Sequence, residues 1–291
     1  MGNTVAMSRS ADERARTQTR IRWELLANLV RKDLKVKYQG SVLGFLWSLA
    51  NPLLLLVVYT FVFQLVLRSG IPSFGFFLLS GLLVWNAFSG AVGSACGAVV
   101  GNAGLVKKVR FPLAVLPLTP VGFTAVHFGL QLLVLVVVMV ATGYTHFLTP
   151  HLLLAVPAIG VALLFTVALC FLVAGLNVRY RDTQHIVEVA LMAGFWLNPI
   201  VYSVALVRDN LHRDWLYDLY YLNPMAGITT TMQSALYGQN PKLPSGHLAL
   251  ADPGYLFYLE RLGVGAVVSG LLLVLGLRLY RKLSADFAEE L

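Results

Sequence analysis

Charge is what this sequence has least of. Of 291 residues, 22 are basic and 14 acidic, so charged side chains make up 12%, against about 25% in an ordinary soluble domain. So few charges cannot cover a water-facing surface. The 57% hydrophobic content and mean hydropathy of +0.72 suit a lipid solvent instead. The same bias excludes a disordered chain, a collagen and a coiled coil. Cysteine is nearly missing too. Cys96 and Cys170 stand far apart inside apolar runs, which gives neither a disulfide framework nor metal-ligand spacing, and both read as buried thiols. None of the seven lysines follows a glycine, so the Gly-x-x-x-x-Gly-Lys-Ser/Thr loop that cradles nucleotide phosphates is absent. Nor does a short apolar core with a small-residue cleavage site follow Met1, which argues against a signal peptide.

What is present is a set of long charge-free stretches: 38–67, 69–106, 111–178, 189–207 and 262–277. A spanning helix needs about 20 apolar residues, and 111–178 is long enough for two, divided by a turn from Gly143 to His151. The expected fold is therefore an all-α polytopic membrane protein with six transmembrane helices, near 47–67, 74–98, 113–142, 152–177, 187–206 and 262–280. Arginine and lysine set the orientation. Seventeen lie in the two terminal segments and the second-to-third and fourth-to-fifth connections, against five in the others. Cytoplasmic connections carry the excess, so a multi-pass protein of the cytoplasmic membrane with both termini in the cytoplasm is expected. The net charge of +8 reflects this bias and not nucleic-acid binding.

The charge-free cores hold no carboxylate and no fixed cation, which argues against an ion-coupled carrier, a proton relay or an intramembrane acid–base enzyme. His127 alone of six histidines lies deep in a span and reads as a satisfied core residue. Any work of transport must then come from another polypeptide, and this chain needs a cytoplasmic docking element for it. Two segments stand out, the first as a lipid anchor or a wall beside an entry route for an amphipathic substrate, the second as the candidate docking element. Residues 21–40 form a basic amphipathic helix, with Trp23, Leu25, Leu26, Leu29, Val30 and Leu34 on one arc and Glu24, Asn28, Arg31, Lys32 and Lys35 opposite; such a helix lies in the membrane interface. Between spans two and three, the run from Asn102 through Leu105, Lys107, Lys108, Arg110 and Phe111 to Pro112 is a short helix, basic at one end and stopped by proline.

This last run resembles the coupling segment of the permease subunits of type-2 ABC transporters, especially those exporting polysaccharides such as O-antigen, capsule, teichoic acid or galactan. Three other stretches are similar to the same family: Tyr38-Gln39-Gly40-Ser41-Val42-Leu43-Gly44-Phe45-Leu46-Trp47 with Asn51-Pro52; Asn177-Val178-Arg179-Tyr180-Arg181-Asp182 with His185 and Asn198-Pro199-Ile200-Val201-Tyr202; and Leu222-Asn223-Pro224-Met225. Many members have Thr-Pro-Ile where this chain has Asn198-Pro199-Ile200. The likeness runs from about residue 20 to 280.

The resemblance implies a homodimer clamped to two copies of a cytoplasmic ABC ATPase, which would hold ATP and Mg; this chain itself would carry no cofactor, metal or catalytic residue. It implies a channel walled by the first and fifth spans, and short outer helices acting as a gate. The organisation expected is a tail (1–20), the interface helix (21–40), a transmembrane unit (41–280) with the coupling segment at 100–111 and the outer gate region at 208–260, and a second tail (281–291). Asn102, Leu105, Lys107, Lys108, Arg110 and Phe111 would face the ATPase. Tyr38, Phe45, Tyr59, Phe63 and Tyr202 are the expected channel aromatics: Phe45 and Tyr59 are about four helical turns apart and Tyr59 and Phe63 one, and rings stack on sugars without demanding a sequence. Pro52 and Pro199 interrupt the backbone ladder of the first and fifth spans and, with Trp215 and Tyr220, would serve kinking and gating. The substrate expected is a lipid-linked polysaccharide. Alternatives are a permease for a small lipophilic drug or antibiotic, and a non-transporting membrane scaffold.

Overall fold

The computed structural model describes residues 2–41, 44, 46–68, 70–108, 112–211, 213–238, 250 and 253–291, with backbone alone for 2–18, 48–49, 209 and 288–289. All regular elements among them are helical. In chain order they are α1 (Gly2–Tyr38), α2 (Leu46–Tyr59) running into a π-helical stretch (Thr60–Val66), α3 (Phe74–Ala98), α4 (Ala103–Lys108), α5 (Val115–Ala141), α6 (Ala155–Arg179), α7 (Thr183–Leu197), α8 (Val204–Leu211), α9 (Asp214–Tyr220), α10 (Pro224–Leu236), α11 (Tyr255–Leu283) and α12 (Phe287–Glu290). Short 3-10 turns precede α4 (Val100–Asn102) and α6 (Pro150–Leu154).

Four helices are long and apolar enough to cross a membrane: Phe74–Ala98, Val115–Ala141, Pro150–Arg179 and Tyr255–Leu283. The first expected span is present as a shorter apolar helix over Ala50–Val66. The fifth differs most from expectation. It starts at Thr183 and stops at Leu197, where Asn198 turns extended and Pro199 cannot donate to the helical ladder. Fifteen residues rise only about 22 Å, short of a bilayer's roughly 30 Å core. The helices also carry charge that the apolar cores did not announce: Glu188 lies in the second turn of α7, and Glu260 and Arg261 lie in the second turn of α11. At the chain ends, α1 is helical from Gly2 onward and α12 folds back on the bundle, where Phe287 is fully buried.

α3 is the central helix, buried along most of its length between α5, α6, α7 and α10. Its core side chains (Phe77, Leu78, Leu83, Trp85, Phe88) pack against Phe165, Ile228, Met232 and Tyr237. α6 and α11 form the most extensive pair, and glycine is what lets them meet. A Cβ on residue 276 would stand 2.8 Å from the Ala168 carbonyl oxygen, an approach a backbone atom cannot relieve by rotating. Gly276→Ala is expected to push α11 off α6 and to destabilise by about 1–3 kcal/mol, the usual cost of overpacking. Thermal unfolding of the detergent-purified protein measures this, and an unchanged midpoint would refute the close packing. A second cluster (Val99, Leu116, Phe171, Val178, Tyr280, Leu283, Phe287) ties together the ends of α3, α5, α6 and α11. This end of the bundle carries Lys107, Lys108, Arg179, Arg281 and Lys282 on its connections and helix ends, and it is called the basic end below.

Candidate functional site

Three regions hold the residues singled out from sequence. The first is the basic end. Asn102 closes α3 by donating its side-chain amide to the Ala98 carbonyl at 2.8 Å. α4 then projects Leu105, Lys107 and Lys108 outward, all exposed, while Val106 turns back onto the cluster that holds Phe287. An exposed leucine beside two ammonium groups is a surface suited to a partner with an apolar pocket and an acidic rim. Arg110 and Phe111 lie outside the described residues. Tyr280 props this segment from behind, its hydroxyl donating to the Leu113 carbonyl at 2.9 Å.

α1 leans on the bundle beside it. Leu25, Leu26, Leu29, Val30 and Leu34 turn toward the protein, with Val30 against Gly122 of α5, whereas Trp23 is exposed on the outward side with the charges. The helix ends in a polar lock. The Tyr38 hydroxyl stands 2.7 Å and the Lys37 ammonium 3.3 Å from Nε2 of His127, and Nδ1 of the same ring is 2.9 Å from the Phe123 carbonyl. A carbonyl only accepts, so the Phe123 contact assigns the ring proton to Nδ1 and leaves Nε2 to accept from Tyr38 and Lys37. Lys37 also stands over the rings of Tyr38 and Phe123, and partial burial there lowers its pKa from the ordinary lysine value. His127 is thus a partnered histidine, and Tyr38 spends its hydroxyl on fixing α1.

The second region is the pair of faces that α2 and α7 leave uncovered. Among the described side chains of α2 only Pro52 is buried; Trp47, Leu53, Leu54 and Val57 are exposed, as is Phe61 in the π-helical stretch. Tyr59 and Phe63 turn the other way: their rings lie 6.1 Å apart and Phe63 stacks on Phe74 at 4.5 Å. Phe45 lies outside the described residues. The change to π-helical winding at Thr60 comes where Gly75 of α3 admits the Thr60 side chain, and π turns recur at functional sites. On α7 only Thr183 is buried, while Ile186, Val189, Met192 and Trp196 (65% exposed) face outward. His185 and Glu188 lie 3.7 Å apart near its start.

The third region lies in the opposite half. α10 is buried on every side. It rises from Pro224, beside Gly265 in the middle turns of α11, to Tyr237, whose hydroxyl donates to the Pro72 carbonyl at 2.7 Å just ahead of α3. α7 therefore stops, and α10 starts, inside the bundle, where water cannot satisfy their free carbonyls and amides. Two asparagines do so. Asn198 donates to the Gly194 carbonyl at 2.6 Å, the Asn223 side-chain oxygen accepts from the Met225 amide at 3.1 Å, and Asn223 donates to the Asn198 side-chain oxygen at 3.0 Å. Gln233 completes the junction by donating to the Pro199 carbonyl at 2.7 Å. Tyr202 bonds the Trp196 carbonyl at 3.0 Å, sealing the end of α7.

Between these breaks α8 and α9 form a hairpin. Trp215 is exposed on α9, Tyr220 is half-buried, and Asp218 meets Arg261 of α11 at 2.6 Å. The Arg261 guanidinium lies 4.8 Å from the Tyr221 ring and 4.9 Å from that of Phe257. Burial raises the Tyr221 and Tyr220 hydroxyl pKa values, so both stay neutral. Neither the asparagine junction nor the Asp218–Arg261 pair was expected from sequence. The repeated Asn-Pro at 198–199 and 223–224 was the available signal for the first.

The sequence profile of the ABC-2 type transporter family matches residues 24–237. The chain belongs to the ABC-2 type transporter family. The match takes in the second half of α1, α4 at the basic end, both uncovered faces and α10. Among characterised relatives, this ABC-2 chain is 38% identical over 213 residues (73% of this chain, 80% of the relative) to the O-antigen export system permease protein RfbA of Myxococcus xanthus. It is 30% identical over 272 residues (92% and 95%) to an O-antigen export system permease protein RfbA of Klebsiella pneumoniae. It is 23% identical over 263 residues (87% and 91%) to the polysialic acid transport protein KpsM of Escherichia coli.

Proposed function

We propose that this ABC-2 chain is the channel-forming subunit of an ATP-driven exporter that moves a lipid-linked polysaccharide across the cytoplasmic membrane. One observation carries the reading beyond family membership: among the helices read as spans, α2 and α7 have the fewest buried side chains among the described residues, and α2 with its π-helical continuation and α7 present apolar faces with exposed rings (Trp47, Phe61 and Trp196). Both also hold a proline break, at Pro52 within α2 and at Pro199 just after α7. Lipid covers apolar helix faces such as those of α5 and α11, so it is the rings beside a proline break, and not the apolar area, that suit a second copy of this chain across a channel. The relatives' names, O-antigen export permease and polysialic acid transport protein, supply the substrate class.

In this reading six segments span the bilayer, with α2 and the short α7 as first and fifth and the asparagine junction relieving the shortness of α7. The basic end faces the cytoplasm, and two copies of an ABC ATPase bind there, supplying ATP and Mg chemistry that this chain lacks. The carrier lipid approaches beside α1, and α8 and α9 gate the opposite side. Tyr59, Phe63 and Tyr202 act behind the channel wall, with Trp47, Phe61 and Trp196 closer to the glycan.

Reconstituted vesicles test the proposal. The chain with its ATPase and ATP should move a labelled polyprenyl-linked glycan, and neither subunit alone should do so. ATP-independent uptake by this chain alone would overturn it. The docking assignment has its own test. Reversing charge with Lys107→Glu and Lys108→Glu is expected to reduce ATPase co-purification at least tenfold, because like charges facing each other cost several kcal/mol. Unchanged recovery would move the docking surface elsewhere.

A further inference from the structure

The α8–α9 hairpin encloses a cavity against α10 and the start of α11. It measures about 220 Å³ and lies between Arg208 of α8, Tyr217 of α9, Thr230 of α10 and Phe257 and Tyr258 of α11. That volume is below the roughly 300 Å³ at which sites for drug-sized molecules begin, so it takes a single ring. Its walls are of two kinds. Tyr217, Phe257 and Tyr258 provide aromatic surface, continued by Val204 and Leu250. The polar groups include, besides Arg208 and Tyr258, the Thr230 hydroxyl, which donates to the Ala226 carbonyl at 2.7 Å and meets the Tyr221 hydroxyl but keeps a lone pair to accept with, and the Tyr217 hydroxyl, 3.4 Å from that of Tyr221.

The charges decide between ligands. Arg261 is matched by Asp218. Arg208 is exposed, stands 5.9 Å from the Tyr217 ring centroid, and has no ion-pair partner among the described residues. One unmatched guanidinium can hold a carboxylate through paired N–H donors. Ring walls accept the apolar face of a pyranose and hydroxyl oxygens accept its O–H groups, whereas a phosphate headgroup would call for several donors and no aromatic walls. Given these features, we infer that this cavity is a binding subsite for one carboxylate-bearing sugar ring of the emerging glycan. It is separate from the α2 and α7 faces. The sugar identity rests on the exporter reading above; the pocket chemistry does not.

The test uses the full chain with its ATPase in lipid nanodiscs and ligand-observed NMR. Methyl glucuronoside is expected to bind saturably and more tightly than methyl glucoside. Arg208→Gln should weaken the glucuronoside about tenfold, a loss of about 1.4 kcal/mol, and erase its preference, and Arg208→Lys should restore part of it. Because Arg208 is exposed, these variants leave the fold intact, and size exclusion checks that. Phe257→Ala should weaken both sugars. Three results would overturn the inference: no saturable binding, equal binding of cyclohexanecarboxylate, or glucuronoside binding that vanishes in nanodiscs rich in phosphatidylglycerol, which would assign the cavity to a lipid headgroup. Glycolipid transport is scored separately in vesicles. Binding without transport would leave the subsite standing and sink the exporter reading; transport without binding would do the reverse.

Discussion

Phe287→Ala is expected to destabilise the basic end by about 3–5 kcal/mol, the range for removing a fully buried phenylalanine. The ring is 0% exposed, meets Tyr280 edge-on at a centroid distance of 5.5 Å, and joins Val99, Leu116, Val178 and Leu283 in one cluster. Val106 of α4 packs on that same cluster, so the loss should reach the surface that carries Leu105, Lys107 and Lys108. The variant should therefore unfold earlier on heating and also recover less ATPase, although residue 287 is not on the exposed face of α4. Phe287→Leu keeps most of the apolar volume and should cost under about 1.5 kcal/mol. A Phe287→Ala protein that melts early yet recovers its partner in full would show that α4 does not depend on this cluster.

Much of the architecture was legible in the sequence because the bilayer imposes long apolar runs. α3 lies within the charge-free stretch 69–106, α5 and nearly all of α6 within 111–178, and α11 contains 262–277, while Pro112 and Asn102 marked the limits of the basic segment around α4. What stayed hidden depends on which face of a helix meets which neighbour. Tyr59 and Phe63 share a face, as the helical repeat requires, but that face meets Phe74 and not open space. Tyr38 sits in a basic, aromatic stretch that spacing alone could not direct to His127, 89 residues away. The end of α7 was misplaced for a similar reason. Residues 198–207 are apolar enough to continue a span, and the groups that let the chain stop at Leu197 include Asn223 and Gln233, which lie in a distant segment. Charge counting placed Arg261 on the sparsely charged side but could not show what holds it, because Asp218 and Tyr221 lie about 40 residues away in sequence and Phe257, one turn back on the same face of its own helix, is uncharged.

The asparagine junction makes the second large prediction. Asn198 is buried and Asn223 half-buried, and together they answer the broken ends of α7 and α10. Asn198→Ala removes the side-chain donor to the Gly194 carbonyl, which keeps only the residue 198 backbone N–H at 3.1 Å, and leaves the Asn223 amide without its acceptor. Asn223→Ala uncaps the Met225 amide and leaves the Asn198 oxygen bare. Each should cost about 1–3 kcal/mol, the penalty for stranding a buried polar group. The two groups share one hydrogen bond, so the double variant should cost less than the two singles added, by about 0.5–3 kcal/mol. Asn198→Asp separates geometry from packing. A carboxylate has nearly the shape of the amide and still accepts from Asn223, but it cannot donate to Gly194 and would bring a charge into the bundle, so it should be worse than alanine. Thermal unfolding of the four proteins in detergent measures the cycle, and ATP-driven glycolipid movement by the same proteins shows whether the short α7 must be held at this depth for transport. Strict additivity, or an aspartate variant as stable as the parent, would mean that the two side chains do not act as one junction. In that case the burial of α10 against α3 and α11 would have to hold the broken helix ends without them.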